Sequence, residues 1–523
     1  MNPASIEPPV SGNEPLERPP GAAPRPGAAL RGASLVALLA LVAVAAGLRF
    51  LDLGLLEFKG DEAVAIHLAL PMAEGEALPQ IGLMSSVGLN NPPLFIWLTA
   101  LPTVFSVEPS FVTAALCGGL NVLAVGLTFV LFRRRLGGPA AFAAAAIFAV
   151  GVWPVLYGRK LWAQDCLQPF MTVLVLALMD VWERRRSRLV GLVPVMLCCL
   201  WQLHFSGIPM GLVTLLLLAP RWRELHWPAF GVGLVAAVLL TVPYLRFQAA
   251  HGWPDVEGLA NMARGKRADG AAKDRGERRP GDAFQWAHYA SFGTRTGYSA
   301  GDSEARFAAE RGPVQRGLST GAEWVGLGLL CVGLGVLARR AARRDGPAIV
   351  LLGVLLGYTL LMQVLGVERL YPHYFSILYP VPFLVAGCGA AWLAERWRWV
   401  TGAAVALVLA GHVVTLTGYR SALRAQGGAA GDYGVLLEHK EALADFVVSS
   451  GLTLGHAPGW EYGHLVNMRR DFGDMAAMTA RSLPLATGDR RRARVLDGLR
   501  QPAAATLRCS GRRDFGPLVL CLE

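Results

Sequence analysis

The chain alternates long uncharged apolar runs with short basic clusters. A helix needs about 20 apolar residues to cross a bilayer core. The candidate runs are 33–51, 109–132, 139–157, 166–182, 189–203, 205–220, 227–245, 320–338, 347–366, 375–394 and 399–418. The clusters Arg133–Arg135, Glu183 to Arg186, Arg221 with Arg223, Arg339 to Arg344 and Arg396 to Arg398 follow every second run. Basic clusters beside spans stay in the cytoplasm. The pattern therefore predicts about eleven spans, an inside N-terminus and an outside C-terminus. One further run, Leu94 to Phe105, is only about twelve residues long and too short to span comfortably. If it crossed, every later cluster would be inverted. It is therefore expected to lie in the interface or to be re-entrant, leaving Leu53–Ser106 outside.

The predicted fold class is an all-α polytopic membrane domain with a small α/β extracytoplasmic C-terminal domain. Residues 1–32, rich in Pro, Gly and Ala, read as a disordered cytoplasmic tail. The membrane domain covers 33–418, with external loops 53–108 and 246–318, and the C-terminal domain covers 419–523. In the latter, Val435 to Val448 reads as an amphipathic helix. Ala505–Cys509 and Leu518–Leu522 read as strands paired across Gly511 to Gly516. Six of the eight cysteines fall in or at apolar runs, whereas Cys509 and Cys521 fall in the tail, where an oxidising exterior would let them bridge the hairpin.

Composition agrees: 53% of the 523 residues are hydrophobic and 17% charged, against about 25% charged in soluble domains. A net charge of +11 raises the question of nucleic acid. The basic residues lie between apolar runs, as membrane orientation requires, so no nucleic-acid partner is expected.

The span interiors are nearly free of ionisable groups, which disfavours an ion-coupled transporter. Charged residues gather instead at the outer ends of the spans. They are Asp61 and Glu62 in the first loop, Arg159, Lys160 and Asp165 after the third run, and Arg246 after the seventh. Glu368, Arg369 and His373 lie between the ninth and tenth, and His204 joins them from a tight external turn. A mixed rim of acids and bases suits an anionic headgroup and a proton-accepting carboxylate. Each residue also has a plainer role: Asp61 or Asp165 as a helix cap, the arginines and Lys160 as anchors to lipid headgroups, the histidines as interfacial side chains.

Four stretches in order, GDEA after the first span, NNPPLFIWL closing the first loop, YGRKLWAQD after the third span and RLYPHYFSILYPVPFL late in the chain, resemble the GT-C glycosyltransferases. The likeness is to the protein O-mannosyltransferase and aminoarabinose transferase superfamily with its bacterial lipopolysaccharide-core relatives. It covers about residues 33–420 and not the tail. The resemblance implies an inverting transfer of a hexose or pentose from a polyprenyl-phosphate donor to a protein, lipid or glycan acceptor on the outer face. It places the catalytic carboxylate at Asp61, paired with Glu62. A second acidic residue falls at Asp165, and basic residues near the donor phosphate fall at Lys160 and Arg369. Arg159, His373 and His204, from the same outer rim, are the further candidates for donor or acceptor binding. Asn91 stands where relatives often carry Lys or His before Pro-Pro, so a positive charge is missing there. No cofactor is called for, and metal dependence is left open. The competing readings are a lipid-linked glycan flippase or transporter, which needs a polar path through the spans, and a non-catalytic membrane scaffold.

Overall fold

The computed structural model describes residues 32–85, 88–264, 279–295, 311–364, 370–429, 433–470, 492–499 and 509–522. The N-terminal tail expected to be disordered lies outside them. Every apolar run forms helix. The membrane domain begins with α1 (Gly32–Phe50) and then a helical pair in the first loop, α2 (Gly60–Ala73) and α3 (Leu94–Thr103). The helices α4 and α5 (Pro109–Thr113 and Gly119–Phe132) continue into one another through a π turn at Ala114–Gly118. After them come α6 (Gly138–Val150), α7 (Val152–Tyr157), α8 (Gln168–Glu183), α9 (Leu192–Leu203) and α10 (Gly207–Leu218). The rest of the bundle is α11 (Trp227–Ala250), α12 (Pro254–Ala263), α13 (Asp282–Phe292), α14 (Pro313–Ala342), α15 (Gly346–Val364) and α16 (Val381–Gln426).

Among the described residues, six helices are long and apolar enough to cross a membrane on their own, counting α4–α5 as one. The other runs fold as shorter or broken helices. α16 has 46 residues and bends at Trp397, whose φ of −134° and ψ of 58° leave the helical region. Two helices meet at that bend, about 24 Å and about 44 Å long at 1.5 Å per residue, so His373 just before the first and Arg420 near the end of the second both reach the same end of the bundle. The bend falls inside the Arg396 to Arg398 cluster, where the sequence pattern separates two spans. Val36, Leu39, Leu215, Leu216, Val232, Val235 and Leu239 are exposed, as apolar side chains facing lipid should be.

Small residues set the closest helix contacts. A Cβ on Gly333, Gly387 or Gly389 would collide with the backbone carbonyl of Val385, Ala140 or Leu329 respectively. Lipid gives no hydrophobic drive for helices to associate, so tight backbone approach of this kind supplies the packing. At one end of the bundle Arg135 binds Asp180 at 2.6 Å and Glu183 at 2.8 Å. Arg221 donates to the Trp182 carbonyl, and Gly346 packs on Trp182. Four of the basic inter-helix turns therefore meet there, leaving the first loop and the α7–α8, α9–α10 and α15–α16 turns at the other end.

The tail carries a two-stranded ladder, β1 (Gly428–Ala429) with β2 (Gly434–Val435), then α17 (Leu437–Ser449) and α18 (Trp460–Arg470). Its main sheet has strand order β3 (Thr453–His456), β4 (Arg492–Asp497), β6 (Leu518–Leu522), β5 (Arg512–Phe515). Only the β3–β4 pair is parallel. α17 lies where the pattern predicts a helix. The hairpin differs: Leu518–Leu522 pairs with Arg512–Phe515 across Gly516 and Pro517, inside the segment expected to be turn. Residues 505–508 of the expected partner strand lie outside the described residues. Arg512, Arg513 and Asp514 form an exposed, charged edge strand, the kind that sequence patterning reads as loop because charge on edges guards against aggregation. Cys509 and Cys521 form a disulfide that closes this hairpin.

Candidate active site

The site is assembled around the exit of α1. A helix leaves its last four carbonyls without intrahelical partners, and at a membrane surface they need donors. Arg159, from the α7–α8 turn, donates to the carbonyls of Arg49 (3.0 Å), Leu51 (2.6 Å) and Asp52 (2.7 Å). Arg420 of α16 donates to Leu48. Asp52 takes a left-handed backbone (φ 56°) that turns the chain into a 3-10 turn at Leu53–Leu55, and an extended segment then carries Leu56 to Lys59 into α2.

Lys59 is the N-cap of α2, and its N–H donates to Glu62 at 3.1 Å, closing a capping box. Asp61 is thus not the cap; it sits one residue before the side chain that closes the box. Adjacent residues on a helix point about 100° apart. Glu62 accordingly turns inward at 1% exposure, while Asp61 is exposed. Beneath Glu62, the buried Lys160 ammonium binds Glu57 at 2.6 Å and lies 3.9 Å from Glu62. It rests 3.3 Å over the Trp162 ring, a cation–π contact. Lys59 reaches Glu57 as well, at 2.9 Å. Burial pushes the Glu62 carboxyl up to about 7 against the pull of Lys160. Burial also opposes the charge on Glu57, yet Lys160 and Lys59 outweigh it and hold that carboxyl below its ordinary value.

Asp165, five residues beyond Lys160, is fully buried, and neither carboxylate oxygen has a hydrogen-bond partner among the described residues. α8 starts at Gln168 with Leu167 as its N-cap, so Asp165 does not cap it. Desolvation, with Cys117 adding to it, raises this carboxyl well above the usual range. His204 and His373 arrive from two further turns with ring centroids 6.1 Å apart, and His373 also meets Trp162 at 5.7 Å. Burial pulls His204 down to about 4 and His373 well below its ordinary value. Both rings are therefore neutral near pH 7. Tyr371 stacks on His373, and Tyr374 packs on both histidines.

The fold thus brings Asp61, Glu62, Lys160, Asp165, His204 and His373 to one end of the bundle, from four separate connections. Arg159 is adjacent, but its guanidinium is occupied by α1 carbonyls. Arg246 is exposed on α11. Arg369 and Glu368 lie outside the described residues. Sequence reasoning missed Glu57, the principal partner of Lys160; the alternation of LEFKGDEA held a signal, since a lone Glu in an apolar strand must find a cation. It also missed Asp255, whose buried carboxylate accepts from Asn90 N–H (2.9 Å), Asn90 Nδ2 (3.1 Å) and Tyr244 (2.8 Å), as well as from Gln248. That cluster ties the NNPP segment to α12. Among the described residues, no group of three or more His, Cys, Asp or Glu has metal-holding geometry.

The fold has counterparts among solved structures. ArnT from Cupriavidus metallidurans bound to undecaprenyl phosphate has a similar fold, with TM-score 0.57 and 14% identity over 94% of this chain and 98% of that one. The apo state of the same protein gives TM-score 0.56 and 15% identity over 94% and 98%. An Archaeoglobus fulgidus oligosaccharyltransferase complex with Zn and sulfate aligns at TM-score 0.46 and 11% identity over 83% of this chain and 61% of that one. At these identities the ArnT likeness is one of fold. No protein-family model matches the chain, and neither does any curated protein sequence.

Proposed function

We propose that this integral-membrane protein is an inverting glycosyltransferase. It moves a sugar from a polyprenyl-phosphate donor to a protein, lipid or glycan acceptor on the extracytoplasmic face. The observation that carries this reading is the convergence of an accessible carboxylate, Asp61, with the fixed cation Lys160 and two neutral imidazoles, in a fold similar to one solved with undecaprenyl phosphate. The acceptor hydroxyl attacks the anomeric carbon, the bond to the phosphate oxygen breaks, and phosphate leaves with the electron pair. A phosphate leaving group needs no general acid. Asp61 takes the acceptor proton, because Glu62 and Glu57 are buried and face Lys160. Lys160 stabilises the charge developing on the phosphate, and Trp162, His204 and His373 line the place where donor and acceptor meet.

Purified Asp61→Asn tests the assignment against wild type, at matched folded protein and saturating lipid-linked sugar. General base catalysis contributes about 10²–10⁴-fold, so turnover should fall by that order with donor binding largely kept. A loss of less than about threefold is too small for a general base and would remove Asp61 from that role.

A further inference from the structure

The C-terminal domain grips four consecutive residues of the segment that enters α2. The Tyr433 hydroxyl donates to the Leu55 carbonyl, and the Leu437 N–H donates to the Leu56 carbonyl at 3.1 Å. Glu57 forms an antiparallel bridge with Leu436. The Lys440 ammonium donates to the Phe58 carbonyl at 2.5 Å. The next residue, Lys59, is the N-cap of α2, and Asp61 and Glu62 follow in its first turn.

Lys440 is unusual among these contacts. It is 2% exposed and lies 3.2 Å from Glu461, itself 5% exposed. A buried ion pair is an expensive way to stabilise a domain, since burying two charges often costs as much as their attraction returns. What this pair does accomplish is to aim one N–H at a carbonyl 382 residues away in sequence. Phe58 completes the joint, its ring 5.9 Å from that of buried His464 on α18. The gripped segment also presents Glu57 to Lys160. Moving its backbone therefore shifts the Lys160 charge and the start of α2 together.

We infer that the C-terminal domain is a positioning element of the catalytic site, with Lys440 as the positioning residue that fixes Glu57 and the N-terminus of α2 relative to Lys160. The catalytic consequence rests on the transferase reading; the mechanical one does not. The test is the full-length double variant Lys440→Met with Glu461→Gln, which removes both buried charges and leaves neither unpaired. Hydrogen–deuterium exchange should rise about tenfold or more across residues 55–62, with α5 and α6 unchanged. Turnover should fall by about 10- to 100-fold, the scale expected when reacting groups are misplaced by about 1 Å, with KM for the lipid-linked donor nearly unchanged. Unaltered exchange across 55–62 in the folded variant overturns the inference. Faster exchange with wild-type turnover overturns the catalytic half of it. If wild type itself transfers no sugar, the transferase reading has failed, and exchange alone decides whether the tail holds the segment. If the double variant does not fold, Tyr433→Phe replaces it. Loss of the Leu55 contact should then raise exchange locally over 55–58, and unchanged exchange there overturns the grip.

Discussion

Asp61 and Glu62 are neighbours in the chain, yet the capping box sends them into different environments. Glu62 closes the box and is buried beside Lys160, while Asp61 stays exposed one residue earlier. Glu62 therefore couples folding to pH. Its carboxyl is pushed up to about 7 by burial, with Lys160 pulling the other way. Above the unfolded carboxylate value, near 4.3, and below about 7, the folded chain holds a proton that the unfolded chain has released. That contribution to stability is complete below the unfolded value and is lost as pH rises through about 7. Glu62→Gln still offers an oxygen to the Lys59 N–H but cannot ionise. Thermal melts in detergent from pH 5 to pH 8 should show wild type losing stability relative to Glu62→Gln across that window. Parallel melting curves would mean that the Glu62 carboxyl is not raised.

At the scale of elements, the first loop is held by donors that come from far away in sequence. Arg159 serves three carbonyls at the end of α1, and an unsatisfied buried carbonyl costs about 1–3 kcal/mol. Arg159→Met keeps the length and apolar stem of the side chain while removing the donors. It should lower stability by about 2–4 kcal/mol, read as denaturant midpoint and melting temperature in detergent, with donor KM little changed. A raised donor KM at wild-type stability would instead make Arg159 a phosphate ligand. The same long-range ties explain what could and could not be read from sequence. The positions of the helices were legible because hydrocarbon allows only helices, so each apolar run had one solution. Asp61, Glu62, Lys160 and Asp165 were legible as a group because alternating topology sends their connections to the same end. The roles of Glu57, Asp255 and Lys440 were not, because their partners are other connections and a different domain. The charged strand Arg512–Phe515 was hidden for another reason: it has no buried face of its own to produce an alternating pattern.

The whole molecule has a chemical polarity that its orientation must follow. One end gathers Arg135, Asp180, Glu183, Arg221 and Trp182, and the other gathers the candidate site, on which the tail domain sits with its Cys509–Cys521 disulfide. Basic clusters hold spans by their cytoplasmic ends, and disulfides persist in oxidising compartments. Both rules lead to the expectation that the site and tail lie outside, the orientation that the proposed transfer from a lipid-linked sugar requires. Arg134 and Ser450 are exposed at the basic end and on the tail respectively. In a background lacking reduced cysteines, Arg134→Cys should react with a membrane-impermeant maleimide only after the membrane is opened. Ser450→Cys should react in intact cells. The opposite pattern would invert the molecule, put the disulfide in a reducing compartment, and leave Asp61 facing the cytoplasm. Labelling of both sites from outside would instead break the alternation itself. An even number of crossings would then have to separate the first loop from the α5–α6 turn that carries Arg134, and the ten-residue α3 (Leu94–Thr103) is the segment that would have to supply the second one. At about 15 Å long it reaches only halfway through the hydrocarbon core, and for that reason the single-sided result is the expected one.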